Sequence, residues 1–150
     1  MKILVLFLSS GFGSGYLPAM PGTWGTLAAS AVYWYLVAND PYIVAAVALI
    51  LCAVAVPISG AAEKIYGVKD DGRIVIDEWA GYFVSVSLLP HTLGYCLGAV
   101  VLFRLFDIWK PLGINALQKL PGGWGVTVDD VAAGIAANLV LQLFRLGAGI

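Results

Sequence analysis

The stretch "IVIDEWAGYF" (residues 74–83) sets Asp77 and Glu78 side by side with apolar residues on both flanks. A second stretch, "VTVDDVAAGIAANLVL" (126–141), does the same with Asp129 and Asp130. Read as helices, the two share a pattern. Asp77, Gly81 and Ser85 fall at i, i+4 and i+8, and Asp130, Gly134, Asn138, Gln142 and Arg145 form an almost continuous stripe, so each helix turns a small or polar face inward. The spacing predicts an all-α bundle with a polar seam and acids at its mouth.

The surrounding composition places that bundle in a bilayer. Of 150 residues, the length of one domain, 61% are hydrophobic and only 11% charged, with a mean hydropathy of +0.91. The net charge of −1 and the lack of a basic patch interleaved with aromatics argue against nucleic acid as a partner. Cys52 and Cys96 lie in apolar runs without CxxC or Cys/His spacing, so they read as small buried hydrophobes. The start "MKILVLFLSS" has the basic-then-apolar order of a signal peptide, but its apolar run is short and no small-x-small cleavage site follows, so it reads as part of the mature chain.

Five apolar segments, about 24–38, 42–60, 74–89, 93–106 and 128–146, predict a small polytopic membrane bundle of about five apolar helices ending in a Gly-containing tail. Several fall short of the roughly 20 residues needed to cross a bilayer, so the helices are expected to run on into the motif-bearing stretches; a soluble helical core is the alternative this shortness allows. If each segment crosses once, one side collects Lys2, Lys64, Lys69, Arg73, Arg104, Lys110 and Lys119 and leaves Arg145 to the other, which makes the first side cytoplasmic. That side also collects Glu63, Asp70, Asp71, Asp77, Glu78, Asp107, Asp129 and Asp130, with Asp40 alone opposite.

Taken singly, Asp77 and Asp129 read as helix caps, and Arg104 with Asp107 as an interfacial ion pair. Taken together, Asp77, Glu78, Asp107, Asp129 and Asp130 converge from three helix ends, where like charges about 4 Å apart repel by about 4 kcal/mol at an effective dielectric of 20. Such a cluster calls for a cation, and oxygen-only ligation without His or Cys favours a hard ion such as Mg²⁺, which bridges carboxylates to phosphate. The Gly-rich stretches "GFGSG" (11–15), "PGTWGT" (21–26) and "PGGWG" (121–125) lie on the same side. They read as turns with Trp24 and Trp124 at the interface, or as backbone that approaches an anion at a helix start after Thr23 and Thr26. Other phosphatase chemistries lack their parts. Ile58 and Leu102 stand where a cysteine phosphatase needs Arg, the only imidazole, His91, lies in the opposite turn, and there is no Asp-x-Asp, GxSxG or P-loop. Metal-activated water is the route that remains for phosphate.

Four stretches, "FGSGYLPAMPGTWGTLAA", "KDDGRIVIDEWAGYF", "FRLFDIWKP" and "GGWGVTVDDVAAG", stand in an order and spacing that resemble the phosphatidylglycerophosphatase A family over about Gly11 to Leu143. The resemblance implies a multi-pass enzyme of the bacterial cytoplasmic membrane that removes the terminal phosphate of phosphatidylglycerophosphate with Mg²⁺, giving phosphatidylglycerol. By position it implies metal ligands at Asp70, Asp77, Glu78, Asp107, Asp129 and Asp130, a base at Lys110, and a phosphate loop of Pro21, Gly22, Thr23, Gly25 and Thr26. A Lys expected near Ala19 or Met20 is missing, so that basic contact is absent or comes from Lys64. Residue chemistry and resemblance join in one expected mechanism, with Asp129 and Asp130 at the reacting centre and Arg104 and Lys110 neutralising charge on the transferred group. Two other readings stand beside it: a transporter or channel lined by the Asp130–Arg145 stripe, and a metal-dependent phosphatidyl transferase. An oligomer is allowed for, since the small faces around Ala133 and Ala137 can pack within a chain or between chains.

Overall fold

The computed structural model describes residues 1–37, 39–147 and 149. Ala38, the expected end of the first apolar segment, and Ala148 and Ile150 of the tail lie outside the described residues. Six α-helices follow in order: α1 (Lys2–Ser9), α2 (Pro21–Leu36), α3 (Pro41–Tyr66), α4 (Ile76–Val86), α5 (Leu93–Trp109) and α6 (Gly123–Gly147). Short 3-10 stretches occupy Ser14–Tyr16 and Pro111–Lys119, and no strand occurs among the described residues.

Local chemistry sets the ends. Asp40 caps α3 by accepting from the backbone N–H groups of Tyr42 (2.8 Å) and Ile43 (3.2 Å), and Gly67 closes it in the left-handed region at φ +70°. Pro21 supplies the fixed φ that starts α2. Pro111 stops α5 at Lys110, which turns left-handed at φ +47°.

Each of the five apolar segments contains a helix, but the expectation of about five membrane-length apolar helices is not met. Only α3 (26 residues) and α6 (25 residues) are long and apolar enough to cross a bilayer. The reason is length: α4, at 11 residues, rises only about 16 Å, and α2 and α5 stop near 25 Å. The α3 span is largely uncovered by the rest of the chain, unlike the core helix of a soluble domain. Leu97, Val101, Leu105 and Ile108 likewise leave an apolar stripe of α5 exposed. These surfaces mark a membrane-associated protein.

Short α4 forms the centre of the bundle, with nine of its eleven residues buried. It packs most extensively against α6, and the crossing has a simple register. The α-carbon of Gly81 faces the Asp130 carbonyl, leaving no room for a Cβ, and Gly134 abuts the Gly81 carbonyl. Four residues on, Asn138 Nδ2 donates to the carbonyls of Ser85 (3.0 Å) and Ser87 (2.8 Å). Asp77 with Asp130, Gly81 with Gly134 and Ser85 with Asn138 are therefore successive levels of one parallel helix pair. Glycines at the middle level let the backbones touch, as small residues do between membrane helices. Ala133 and Ala137 are fully buried within the chain, so that small face serves intramolecular packing.

Candidate active site

The crossing of α4 and α6 brings Asp77 and Asp130 to the same end of the bundle, and the other helices deliver the rest. Asp77 and Glu78 lie in the first turn of α4, Arg104 and Asp107 in the last turns of α5, and Lys110 just past it. Asp77, Asp129 and Asp130 are buried, and Glu78, Arg104, Asp107 and Lys110 are nearly so. The N-terminal turn of α2 closes over them: a Cβ on Gly22 would strike Glu78 Oε1 and lie 3.0 Å from an Arg104 nitrogen. Glycine here allows a helix start and a carboxylate to share one space.

The charges divide into two groups. Arg104 Nη1 donates to Asp107 Oδ2 and lies 3.8 Å from Glu78 Oε1. Lys110 Nζ donates to Asp129 Oδ2 and lies 3.9 Å from Asp107 Oδ1. Asp107 and Asp129 are thus held by bases. Asp77, Glu78 and Asp130 instead bring one carboxylate oxygen each to within 4.8 Å of one another, and this trio is the group that could hold a metal ion. Five carboxyl groups face two cations, Arg104 and Lys110, in a buried space, so the acids outnumber the bases.

The polar atoms are also incompletely satisfied. Glu78 Oε2, Asp129 Oδ1, Arg104 Nε, Thr23 Oγ1 and Thr127 Oγ1 are buried without a hydrogen-bond partner among the described residues. Each such atom costs on the order of 1–3 kcal/mol, more where the group is charged, so a cluster of them marks a place built for something else to fill. Acceptor oxygens in the trio suit a hard divalent cation; donors at Arg104 and Thr23 suit an anion beside it.

The expected residues separate on this geometry. Asp77, Glu78, Asp107, Asp129, Asp130, Arg104 and Lys110 come together, with Gly22 against them. Asp70 stands at the exposed rim, its backbone left-handed at φ +52° and its N–H donating to Glu63 Oε1 (2.8 Å). Crowding by protein and the charges of Glu63 and Asp107 push its carboxyl above the usual range, against the pull of Lys110. Partial burial would lower Lys110, but its bond to Asp129 and the field of Asp130 and Asp107 prevail and raise it, so its ammonium is secure. Thr23 reaches the site end with a free hydroxyl, whereas Thr26 Oγ1 donates to the Gly22 carbonyl (2.9 Å) and Gly25 packs on Val75, so both of these shape α2. Lys64 is exposed and makes no hydrogen bond or ion pair among the described residues. Thr127 escaped the sequence reading; its position one helical turn before Asp130, inside "VTVDD", was the available signal.

Fold and site together define a membrane-associated helical protein with a buried carboxylate centre flanked by two bases. The phosphatidylglycerophosphatase A family profile matches residues 7–145. The chain is 35% identical to phosphatidylglycerophosphatase A of Escherichia coli over 137 residues, 89% of this chain and 79% of that protein. It is 36% identical to the protein of the same name from Haemophilus influenzae, over 89% of this chain and 84% of that one. It is also 33% identical, over 96% of this chain and 95% of the other, to a Bacteroides thetaiotaomicron protein provisionally named a phosphatidylinositol-3-phosphatase. No solved structure matches the chain. The chain belongs to the phosphatidylglycerophosphatase A family.

Proposed function

We propose that the protein is a Mg²⁺-dependent phosphatase that converts phosphatidylglycerophosphate to phosphatidylglycerol. It acts in the bacterial cytoplasmic membrane, with α3 and α6 crossing the bilayer and the site on the cytoplasmic face. The observation that carries this reading is the trio Asp77, Glu78 and Asp130, in which only Glu78 has a base within ion-pair distance, beside Arg104 and Lys110. The relatives from E. coli and H. influenzae bear the corresponding activity in their names.

Asp77, Glu78 and Asp130 would hold the ion, which supplies Lewis acidity toward a phosphoryl oxygen and makes bound water acidic. Arg104, through its unpartnered Nε, and Thr23, through its hydroxyl, donate to the remaining phosphoryl oxygens and hold the phosphate in line for attack. Asp129 is fixed by Lys110 through Oδ2 and keeps Oδ1 open, so it is placed to take a proton from the attacking water. As the new P–O bond forms, the bond to the glycerol oxygen breaks, and Lys110 supplies the proton that leaving oxygen needs. Water and monoester are consumed; alcohol and inorganic phosphate are released. The polar stripe of α6 counts against a conduction path, because Asn138, Gln142 and Arg145 all donate to carbonyls at the end of α4.

Release of inorganic phosphate from phosphatidylglycerophosphate in detergent micelles tests the reading. Activity that requires Mg²⁺ and disappears in EDTA is expected; undiminished activity in EDTA contradicts it. The Bacteroides relative favours a second reading, a 3-phosphorylated inositol lipid as substrate. Running both lipids side by side ranks the two.

A further inference from the structure

We infer that a groove along α2, on the side away from α5, holds an acyl chain of the lipid substrate, with Trp79 as the donor at its head. The inference rests on the lipid phosphatase reading above. Two adjoining cavities, of about 300 and 700 Å³, share Phe12, Val32 and Trp79 as walls. Both fall in the usual size range of small-molecule sites, roughly 300–1,000 Å³. The smaller reaches Leu51 and Ile58 of α3, and the larger follows Ala28 and Leu36 along α2. Apart from Ser14 and the glycines at 11 and 13, these walls are hydrocarbon, so the groove continues the bilayer into the protein beside the helix whose first turn touches Glu78 and Arg104.

One polar feature interrupts the groove. Trp79 is 5% exposed, yet its indole Nε1 has no acceptor. It faces the space that Gly11 leaves by lacking a side chain: a Cβ there would lie 2.5 Å from Nε1 and 2.9 Å from Ser14 Oγ. Gly11, Phe12 and Gly13 are all left-handed (φ +55°, +57° and +97°). For Phe12 that backbone is costly, and it holds the ring edge-on to Trp79 at 5.4 Å. An apolar slot with one buried donor at its head matches the ester carbonyl and chain of a glycerolipid. Trp79 follows Glu78 directly in the chain, and Glu78 and Arg104 meet the glycine-faced start of α2, so a lipid whose ester lies at Trp79 would carry its terminal phosphate toward Arg104. A free phosphate or soluble sugar phosphate would use the carboxylate end and leave the groove unfilled.

The test compares kcat/KM for dioleoyl and dihexanoyl phosphatidylglycerophosphate in wild type, Val32→Trp and Trp79→Phe. Blocking the slot is expected to lower the long-to-short ratio at least tenfold in Val32→Trp. Removal of one donor in Trp79→Phe is expected to raise KM about fivefold for both diacyl esters, the equivalent of one hydrogen bond. An unchanged long-to-short ratio in Val32→Trp overturns the groove, and an unchanged KM for both esters in Trp79→Phe overturns the donor. Should either variant fail to fold, photolabelling of wild type with a diacyl phosphomonoester bearing a diazirine in one acyl chain decides. Labels concentrated on Phe12, Val32 and Leu36 support the groove; labels spread equally over Leu97 and Val101 of α5 overturn it. Failure of wild type to release phosphate from either chain length instead refutes the phosphatase reading and leaves the label map intact.

Discussion

The two ends of the α4–α6 pair use the same register for opposite purposes. At one end Asp77 and Asp130 meet as unbalanced acids within 4.8 Å of a third, Glu78. At the other, Asn138 donates to two carbonyls, and Gln142 (3.3 Å) and Arg145 (3.1 Å) both donate to the Leu88 carbonyl. The Gln142 and Arg145 contacts are exposed and the Asn138 ones partly buried, and that end settles its polar groups within the chain; the acid end is buried and does not. The difference separates a structural seam from a reactive one: the satisfied end locks α4 against α6, and the unsatisfied end is held open for a ligand.

The largest effect should come from the open end. Asp130→Asn keeps shape and removes charge, so the variant should retain its helical circular dichroism while phosphate release falls about a thousandfold. Full activity in that variant would merge the two ends into one structural seam.

Next in size is the middle level. A methyl on Gly134 would collide with the Gly81 carbonyl, so Gly134→Ala should destabilise the protein by about 1–3 kcal/mol and depress activity by parting Asp77 from Asp130. Thermal unfolding in detergent measures the first, phosphate release the second. At the closed end, Asn138→Ala exposes the Ser85 and Ser87 carbonyls and should cost about 1–2 kcal/mol of stability, with kcat per folded molecule unchanged. A loss of activity without loss of stability would show that this end too serves the reaction.

The convergence of the acids was legible because they sit at the mouths of apolar runs, and i, i+4 spacing placed Asp77, Gly81 and Ser85 on one face and Asp130, Gly134 and Asn138 on another. The pairing of those faces level by level was not, since register between two helices depends on backbone approach at Gly81 and Gly134, which either sequence alone leaves undefined. The division of the acids was hidden for a similar reason: nothing in "FDIWKP" tells that Lys110 turns left-handed and reaches Asp129. Segment 74–89 read as long enough to count with the other apolar helices, but the helix ends at Val86, where Ser87 turns extended and Leu88 left-handed. Thr23 and Thr26 looked equivalent in "PGTWGT", yet only the Thr23 hydroxyl remains without a partner.

The smallest expected effect lies at the rim. Asp70 has a carboxyl held above its usual range and a left-handed backbone that Asn tolerates better. Its raised folded-state value means that ionisation works against folding, so stability from this group falls as pH rises from the ordinary carboxylate range through that value. In EDTA, Asp70→Asn should therefore raise Tm slightly at neutral pH, with the gain shrinking as the pH is lowered below that range. A gain of equal size at every pH would assign it to the backbone alone.

Mg²⁺ titration by calorimetry, on the detergent-solubilised protein stripped with EDTA, tests most directly whether Asp77, Glu78 and Asp130 share a divalent ion. The prediction is at least one bound Mg²⁺ per wild-type chain and loss of that binding in both Asp77→Asn and Asp130→Asn. Unchanged binding in both folded variants would contradict the metal centre.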